Sequence, residues 1–373
     1  MDKLKTLCAL LVAVVLPIKA ADSQAIDAIV RPLVGSHEPG TAVMVRQNGH
    51  IIFRACYGLS NLNTLEKISP STNFRLASVT KQFTAMAIML LVQDGKLAYN
   101  ETLAEIFPDF PAYGRAITIR ELLTHTSGLP DYEDLMGPQW TAEHQINDDE
   151  VLALLKRQSQ GKFAPGTSWA YSNSGYVMLG LIVAKVAGKA FPGFLRECTF
   201  SKLHMTSTMA YCQGKNAIPN RAYGYSRNEQ RKFVLTDQSA TSATLGDGGV
   251  YSNLLDMAKW DEALRTGSLL GAAAISPAFT PVKLADGSSP SWPSQPGDDN
   301  LNPGKPVAYG FGWFLDPYKG RMRTWHFGST SGFRTVIERF TQDNFSIIIL
   351  SNRTDLDPGN LALRVADLVL ATR

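Results

Sequence analysis

Ser78 and Lys81 stand three residues apart in Ser78-Val79-Thr80-Lys81, a spacing that puts a hydroxyl and an amine on one face of a helix. Two further strings follow, Tyr171-Ser172-Asn173 and His326-Phe327-Gly328. A nucleophile, proton-handling groups and a strand for a substrate to lie against are what serine acyl transfer needs when no Ser-His-Asp triad is present. Each string also has a plain structural reading. Ser78 could cap a helix, Ser172 or Asn173 could cap the apolar run Tyr176 to Ile182, and a lone His326 is more often structural than catalytic.

Context separates these strings from their duplicates. Ser159 and Lys162 repeat the first spacing, but Gly161 and Pro165-Gly166 leave little room for a helix there. Tyr251-Ser252-Asn253 repeats the second and precedes the helical pattern of Asp256, Ala258 and Trp260, where Ser252 or Asn253 suits an N-cap. Ser78 instead opens the strong helical pattern Ser78 to Val92, with Phe83, Ala87, Leu90 and Leu91 on one face. A helix start offers free backbone N–H groups where a tetrahedral oxyanion would form. Gly328 and Gly332, with small hydroxyl residues between them, let an extended substrate approach the strand edge closely.

The elements that must position these groups follow from periodicity. Residues 22 to 35 carry helical spacing that stops at Gly35. Two β-rich runs, Thr41 to Gln47 and His50 to Tyr57, meet at Asn48-Gly49, the preferred two-residue hairpin turn. Helical patterns recur at 119–123, 149–158, 174–187 and 254–264. Strand patterns return at 309–315, 322–327, 335–340 and 345–351, then a helical pattern at 361–371. The crowded Ser, Pro, Gly and Asp of 286–306 predict a surface loop. This order implies an α/β (α+β) protein: a discontinuous sheet domain from residues 21–77 and 244–373, and a mainly helical domain over 78–243, with the site between them.

Composition excludes other classes. The chain has 373 residues, 45% hydrophobic and 18% charged, with a formal charge of +3. That is ordinary globular composition with no nucleic-acid signature. Lys3 and Lys5, the apolar run Leu7 to Ile18 and small residues at Ala20 and Ala21 predict an export signal over residues 1–20. The run is too short to favour a permanent membrane span, so the mature protein is expected to be periplasmic or secreted. Of the cysteines left, Cys198 and Cys212 are the candidate disulfide, with Cys56 unpaired. No Cys/His cluster has zinc-ligand spacing, no cofactor motif occurs, and no partner protein is indicated.

The three strings together resemble the serine β-lactamase and penicillin-binding protein superfamily, in the branch with class C β-lactamases, DD-peptidases and β-lactamase-like esterases. Ser78-x-x-Lys81 and Tyr171-x-Asn173 match its first two motifs, and His326-x-Gly328 stands where Lys-Thr-Gly or His-Thr-Gly is usual. Supporting matches include Leu122 to Pro130, Gly248 to Ser252, Gly310 to Trp313 and Gly332-Phe333. The resemblance implies a β-lactamase/transpeptidase-like fold and an acyl-enzyme on Ser78, with Lys81 and Tyr171 sharing the general base. It implies an oxyanion hole from the backbone N–H groups of Ser78 and Ser329, and substrate contacts at Asn173, His326, Gly328 and Ser329. The expected substrates are D-alanyl peptides, β-lactams or related amides. A carboxylesterase, or a binding protein that senses such compounds without turnover, are the alternatives. His326 in place of Lys suggests a charge that varies near neutral pH. Phe327 in place of Thr removes a hydroxyl that commonly helps hold a substrate carboxylate.

Overall fold

The computed structural model describes residues 20–212, 214–292 and 304–370. Residues 1–19 of the expected export signal and most of the expected 286–306 loop lie outside that description. The chain builds one six-stranded antiparallel sheet from both of its ends. Its strands are β1 (Thr41–Gln47), β2 (His50–Tyr57), β3 (Phe314–Tyr318), β4 (Arg321–Thr330), β5 (Phe333–Phe340) and β6 (Phe345–Ser351), in the order β3-β4-β5-β6-β1-β2. Asn48 and Gly49 take the positive φ values, 49° and 81°, that a tight β1–β2 hairpin requires. The ends join where Thr41 of β1 lies opposite Ser351 of β6.

Period-2 alternation gives each sheet face its own core. Ala42, Met44, Ile348 and Leu350 join the large helical core. Val43, Val45, Ile347 and Ile349 pack with Val30, Leu361 and Val365 of the two terminal helices, Ala20–Val30 and Pro358–Leu370. With both faces covered, β1 and β6 are buried along their whole lengths, which is why their sequences are nearly continuous apolar runs. Pro32 follows the first helix within a short 3₁₀ turn, Arg31–Leu33.

Three expectations change. The helix Lys81–Gln93 is buried on all sides from Lys81 to Leu91 rather than on one face, because it lies in the middle of the large core. The expected strand at 309–315 starts only at Phe314. Before it the chain runs close to neighbouring backbone: a Cβ on Gly310 would come within 2.1 Å of Ala278 O, and one on Gly312 within 3.0 Å of Lys81 O. Cys198 and Cys212 are both free, as is Cys56. Cys198 packs against the large core from the turn Arg196–Phe200, while the backbone at Cys212 is tied to Asn216 Oδ1, so the candidate disulfide does not form. Among the described residues no single helix is long and apolar enough to cross a membrane.

Candidate active site

Ser78 sits in a 3₁₀ turn, Ala77–Thr80, that runs straight into the helix Lys81–Gln93. Neither helical segment has a side-chain N-cap bond. Ser78 Oγ instead accepts a hydrogen bond from Lys81 Nζ at 3.2 Å, so the capping reading of this serine is overturned. Ala77, immediately before it, holds φ at +49°. A non-glycine residue adopts that conformation at a cost on the order of 1 kcal/mol or more, and such strain gathers where backbone must be aimed. The turn is clamped on both sides: Leu76 N–H donates to Val250 O at 2.8 Å, and Thr335 Oγ1 donates to Leu76 O at 2.8 Å.

Lys81 is fully buried. Its ammonium reaches Asn173 Oδ1 at 2.8 Å and Asp247 O at 3.1 Å as well as Ser78 Oγ. It also lies 4.7 Å from the ring centre of Tyr171 and 5.5 Å from that of Tyr176, where ring faces favour a cation. The string 171–173 divides its labour. Ser172 caps the helix Asn173–Ala187 by accepting from Gly175 N–H at 3.1 Å, and the residues on either side of it face Lys81. Structural capping and the site role therefore belong to different residues of one string.

β4 brings the third string. A Cβ on Gly328 would lie 2.1 Å from Leu76 O and 2.4 Å from Thr335 Oγ1, so only glycine lets β4 press against the nucleophile turn. β3 covers β4 only as far as Trp325, opposite Phe314, and residues 326–330 continue beyond it with Ser329 exposed. His326 faces the large-core side and is fully buried. Its Nδ1–H donates to Phe327 O at 2.7 Å, and Nε2 accepts from Tyr309 O–H at 3.2 Å, the pattern of a neutral imidazole. Burial, then the Lys81 charge, pushes its pKa down to about 3. The expected charge change near neutral pH is thus corrected. Phe327 points to the opposite sheet face, stacking with Trp325 and Phe314 at 6.0 and 6.4 Å.

Four residues join the site that spacing alone did not single out. His125 stands at φ +60°, its Nδ1 accepting Ser172 N–H at 3.1 Å and its ring centre 4.4 Å from that of Tyr171. Burial and the Lys81 charge hold it well below the usual imidazole range, so it is neutral with its proton on Nε2. Asp131 Oδ2 accepts Asn173 N–H at 2.9 Å, and Glu133 Oε1 accepts from Asn173 Nδ2 at 3.2 Å. That second bond fixes which end of the Asn173 amide faces Lys81. Asp247 supplies a carbonyl to Lys81 from the segment 246–249, which approaches so closely that a Cβ on Gly246 would be 2.2 Å from Tyr176 O. For His125 and Asp247 the available signals were the runs Leu122 to Pro130 and Gly246 to Gly249, whose glycines mark close backbone approach; Asp131 and Glu133 lie outside both runs.

The duplicate strings lie elsewhere in role. Lys162 pairs with Asp134 at 2.9 Å on the surface. Asn253 caps Leu254–Thr266 by accepting Asp256 N–H at 3.0 Å, and the Tyr251 hydroxyl accepts from Arg221 Nη2 at 3.0 Å.

Comparison with known proteins gives a consistent set of likenesses. A family model described as Beta-lactamase matches residues 26–371. Penicillin-binding protein 4* of Bacillus subtilis (strain 168) is 31% identical over 348 residues, covering 90% of this chain and 73% of that protein. Protein flp of Staphylococcus aureus (strain MRSA252) is 27% identical over 337 residues, covering 88% of this chain; the chain spans only 62% of flp. Among solved structures, the penicillin binding protein from Bacillus halodurans superposes with a TM-score of 0.75 at 25% identity, covering 94% of this chain and 98% of that one. The D-amino acid amidase from Ochrobactrum anthropi SV3 gives 0.76 at 23% identity, covering 95% and 100%; at that identity the likeness concerns the fold.

Proposed function

We propose that this chain, which belongs to the beta-lactamase family and has its mixed helical and antiparallel-sheet fold, is an exported serine hydrolase that forms an acyl-enzyme on Ser78. Its substrates in this reading are D-alanyl peptides, β-lactams or related amides. The observation that carries the reading is the contact of a buried Lys81 ammonium with both Ser78 Oγ, 3.2 Å, and Asn173 Oδ1, 2.8 Å. A solvated lysine would gain little from such contacts. A buried one needs them, and its burial costs several kcal/mol unless hydrogen bonds offset it.

The steps follow from the groups in place. Ser78 Oγ attacks the scissile carbonyl as its proton passes to Tyr171, whose phenolate form the neighbouring Lys81 ammonium favours, so that the two residues share the work of the general base. The carbonyl oxygen, now an anion, lies between the backbone N–H groups of Ser78 and Ser329. Collapse breaks the bond to the leaving amine, which receives the proton through Tyr171. A water molecule then adds to the acyl carbonyl and releases the acid, restoring Ser78. Asn173 holds Lys81 in register. His326, neutral and tied by both ring nitrogens, shapes the wall behind Tyr171 rather than supplying charge.

The family's penicillin-binding relatives support an amide substrate. The aromatic wall of Trp325 and Phe327 beside Ser329 favours a second reading, a carboxylesterase on the same centre. Turnover of a D-Ala-D-Ala peptide, a chromogenic cephalosporin and a short p-nitrophenyl ester separates these. The leading reading expects the peptide or the cephalosporin to have the highest kcat/KM, and a preference for the ester would replace it.

A further inference from the structure

On the large-core face of the sheet, one register row carries charge. Leu315 of β3, Thr324 of β4, Arg339 of β5, Ser346 of β6 and Arg46 of β1 lie opposite one another in turn. The adjoining row through His326, with Ile337, Ile348 and Met44, carries none. Arg46, Arg339 and Ser346 are each more than nine-tenths buried, and they converge on Asp261 of the helix Leu254–Thr266. Arg339 Nε donates to Asp261 Oδ1 at 2.8 Å, Ser346 Oγ donates to Oδ2 at 2.7 Å, and Arg46 Nη1 also donates to Oδ2. Glu262 pairs with Arg46 at 2.8 Å and with Arg265. Three guanidinium groups thus share two carboxylates, which leaves one positive charge in excess among the described residues of this cluster. Burying a cation costs several kcal/mol unless its donors are matched. Arg339 Nη1 and Nη2 nevertheless have no hydrogen-bond partner among the described residues, and neither has the hydroxyl of Thr324 opposite. Arg339 and Thr324 border a cavity of about 660 Å³ that Ile275, Phe279, Leu315 and Met322 also line, a size within the range of small-molecule sites. Ser78, Lys81, Tyr171 and Asn173 do not line it.

We propose that this cavity is a second ligand site, separate from the Ser78 centre, which takes a small monocarboxylate with an apolar body. The carboxylate lies on the Nη1–Nη2 end of Arg339, a planar pair of donors that matches two carboxylate oxygens. One excess positive charge suits one negative charge; a phosphate, with nearly two, would overshoot it. Nε of the same guanidinium is held by Asp261, so the fork is fixed before the ligand arrives. The guanidinium carbon lies 6.0 Å from the ring centres of both Phe279 and Trp313, and the body of the ligand packs against Phe279, Ile275 and Leu315. A threonine hydroxyl can turn toward a bound oxygen, which gives Thr324 the partner it lacks.

The test is calorimetric titration of the whole protein with phenylacetate and with its neutral counterpart, phenylacetamide. The acid should bind at least about tenfold more tightly than the amide, as loss of a charged hydrogen bond would dictate. Arg339→Gln should remove that preference, and Arg339→Lys, which keeps a cation beside Asp261, should keep only part of it. Because Arg339 also serves the buried ion cluster, thermal melting checks that its variants fold, and a second variant leaves the cluster intact. Ala272 is exposed and lines the cavity, so Ala272→Trp should obstruct it and weaken phenylacetate binding at least about tenfold. No saturable binding of phenylacetate, equal affinity for acid and amide, a preference that survives Arg339→Gln, or an affinity undiminished by Ala272→Trp would overturn the second site.

Discussion

His326 shows how far a residue's surroundings can move it from its type. Its type suggested a proton switch near neutral pH, but full burial, the Lys81 charge and bonds from both ring nitrogens leave it neutral, with a pKa about 3. Its folded pKa is below the unfolded value near 6.5, so the native state's advantage is intact above about pH 6.5 and declines as pH falls toward 3, with a limiting slope of roughly 1.4 kcal/mol per unit. Glu338, raised by burial to about 7, acts in the opposite direction, contributing most below about pH 4.5 and less as pH rises. Subtracting a His326→Asn variant cancels that contribution. In urea unfolding from pH 7 to 4, wild type should lose stability relative to His326→Asn. A constant difference would show that His326 takes up protons in the folded state. Sequence located this residue but could not supply its burial, because a His-x-Gly string on a strand does not say which face the ring occupies.

At the level of elements, the site is an assembly of turns held against one another. The 3₁₀ turn at Ser78, the capped start of Asn173–Ala187, the β4 edge and the glycine segment at 246–249 meet around Lys81. Spacing made the first three legible, since a Ser-x-x-Lys pair and a Tyr-x-Asn turn each announce themselves locally. His125 was not legible in the same way. Its part depends on Ser172, 47 positions away, whose N–H it accepts. His125→Phe keeps a flat ring beside Tyr171 but leaves that buried N–H unpaired, which should cost about 1 to 3 kcal/mol of stability. It should also lower kcat more than it changes KM, as the Tyr171 turn loses its register. His125→Gln, with an acceptor, should recover part of both. Denaturant melts and steady-state kinetics on the two variants decide it: equal behaviour of Phe and Gln would remove the hydrogen bond from the account.

For the whole molecule, the two chain ends make the sheet and the middle supplies most of the helices that face it. The Asn48-Gly49 hairpin, the late strands and the terminal helix were legible because each carries a strong local period. What escaped were features set by contact between distant segments: the all-round burial of Lys81–Gln93, the shortened strand before Phe314 and the free cysteines. The proposed chemistry likewise needs distant segments to converge on one oxygen atom, Ser78 Oγ. Incubation with a fluorescent penicillin or an active-site fluorophosphonate, followed by peptide mapping by mass spectrometry, tests it most directly. One covalent adduct is expected, on Ser78, absent in Ser78→Ala and formed much more slowly in Lys81→Ala. An adduct on Ser159 or any other residue, or labelling undiminished in Ser78→Ala, would contradict it.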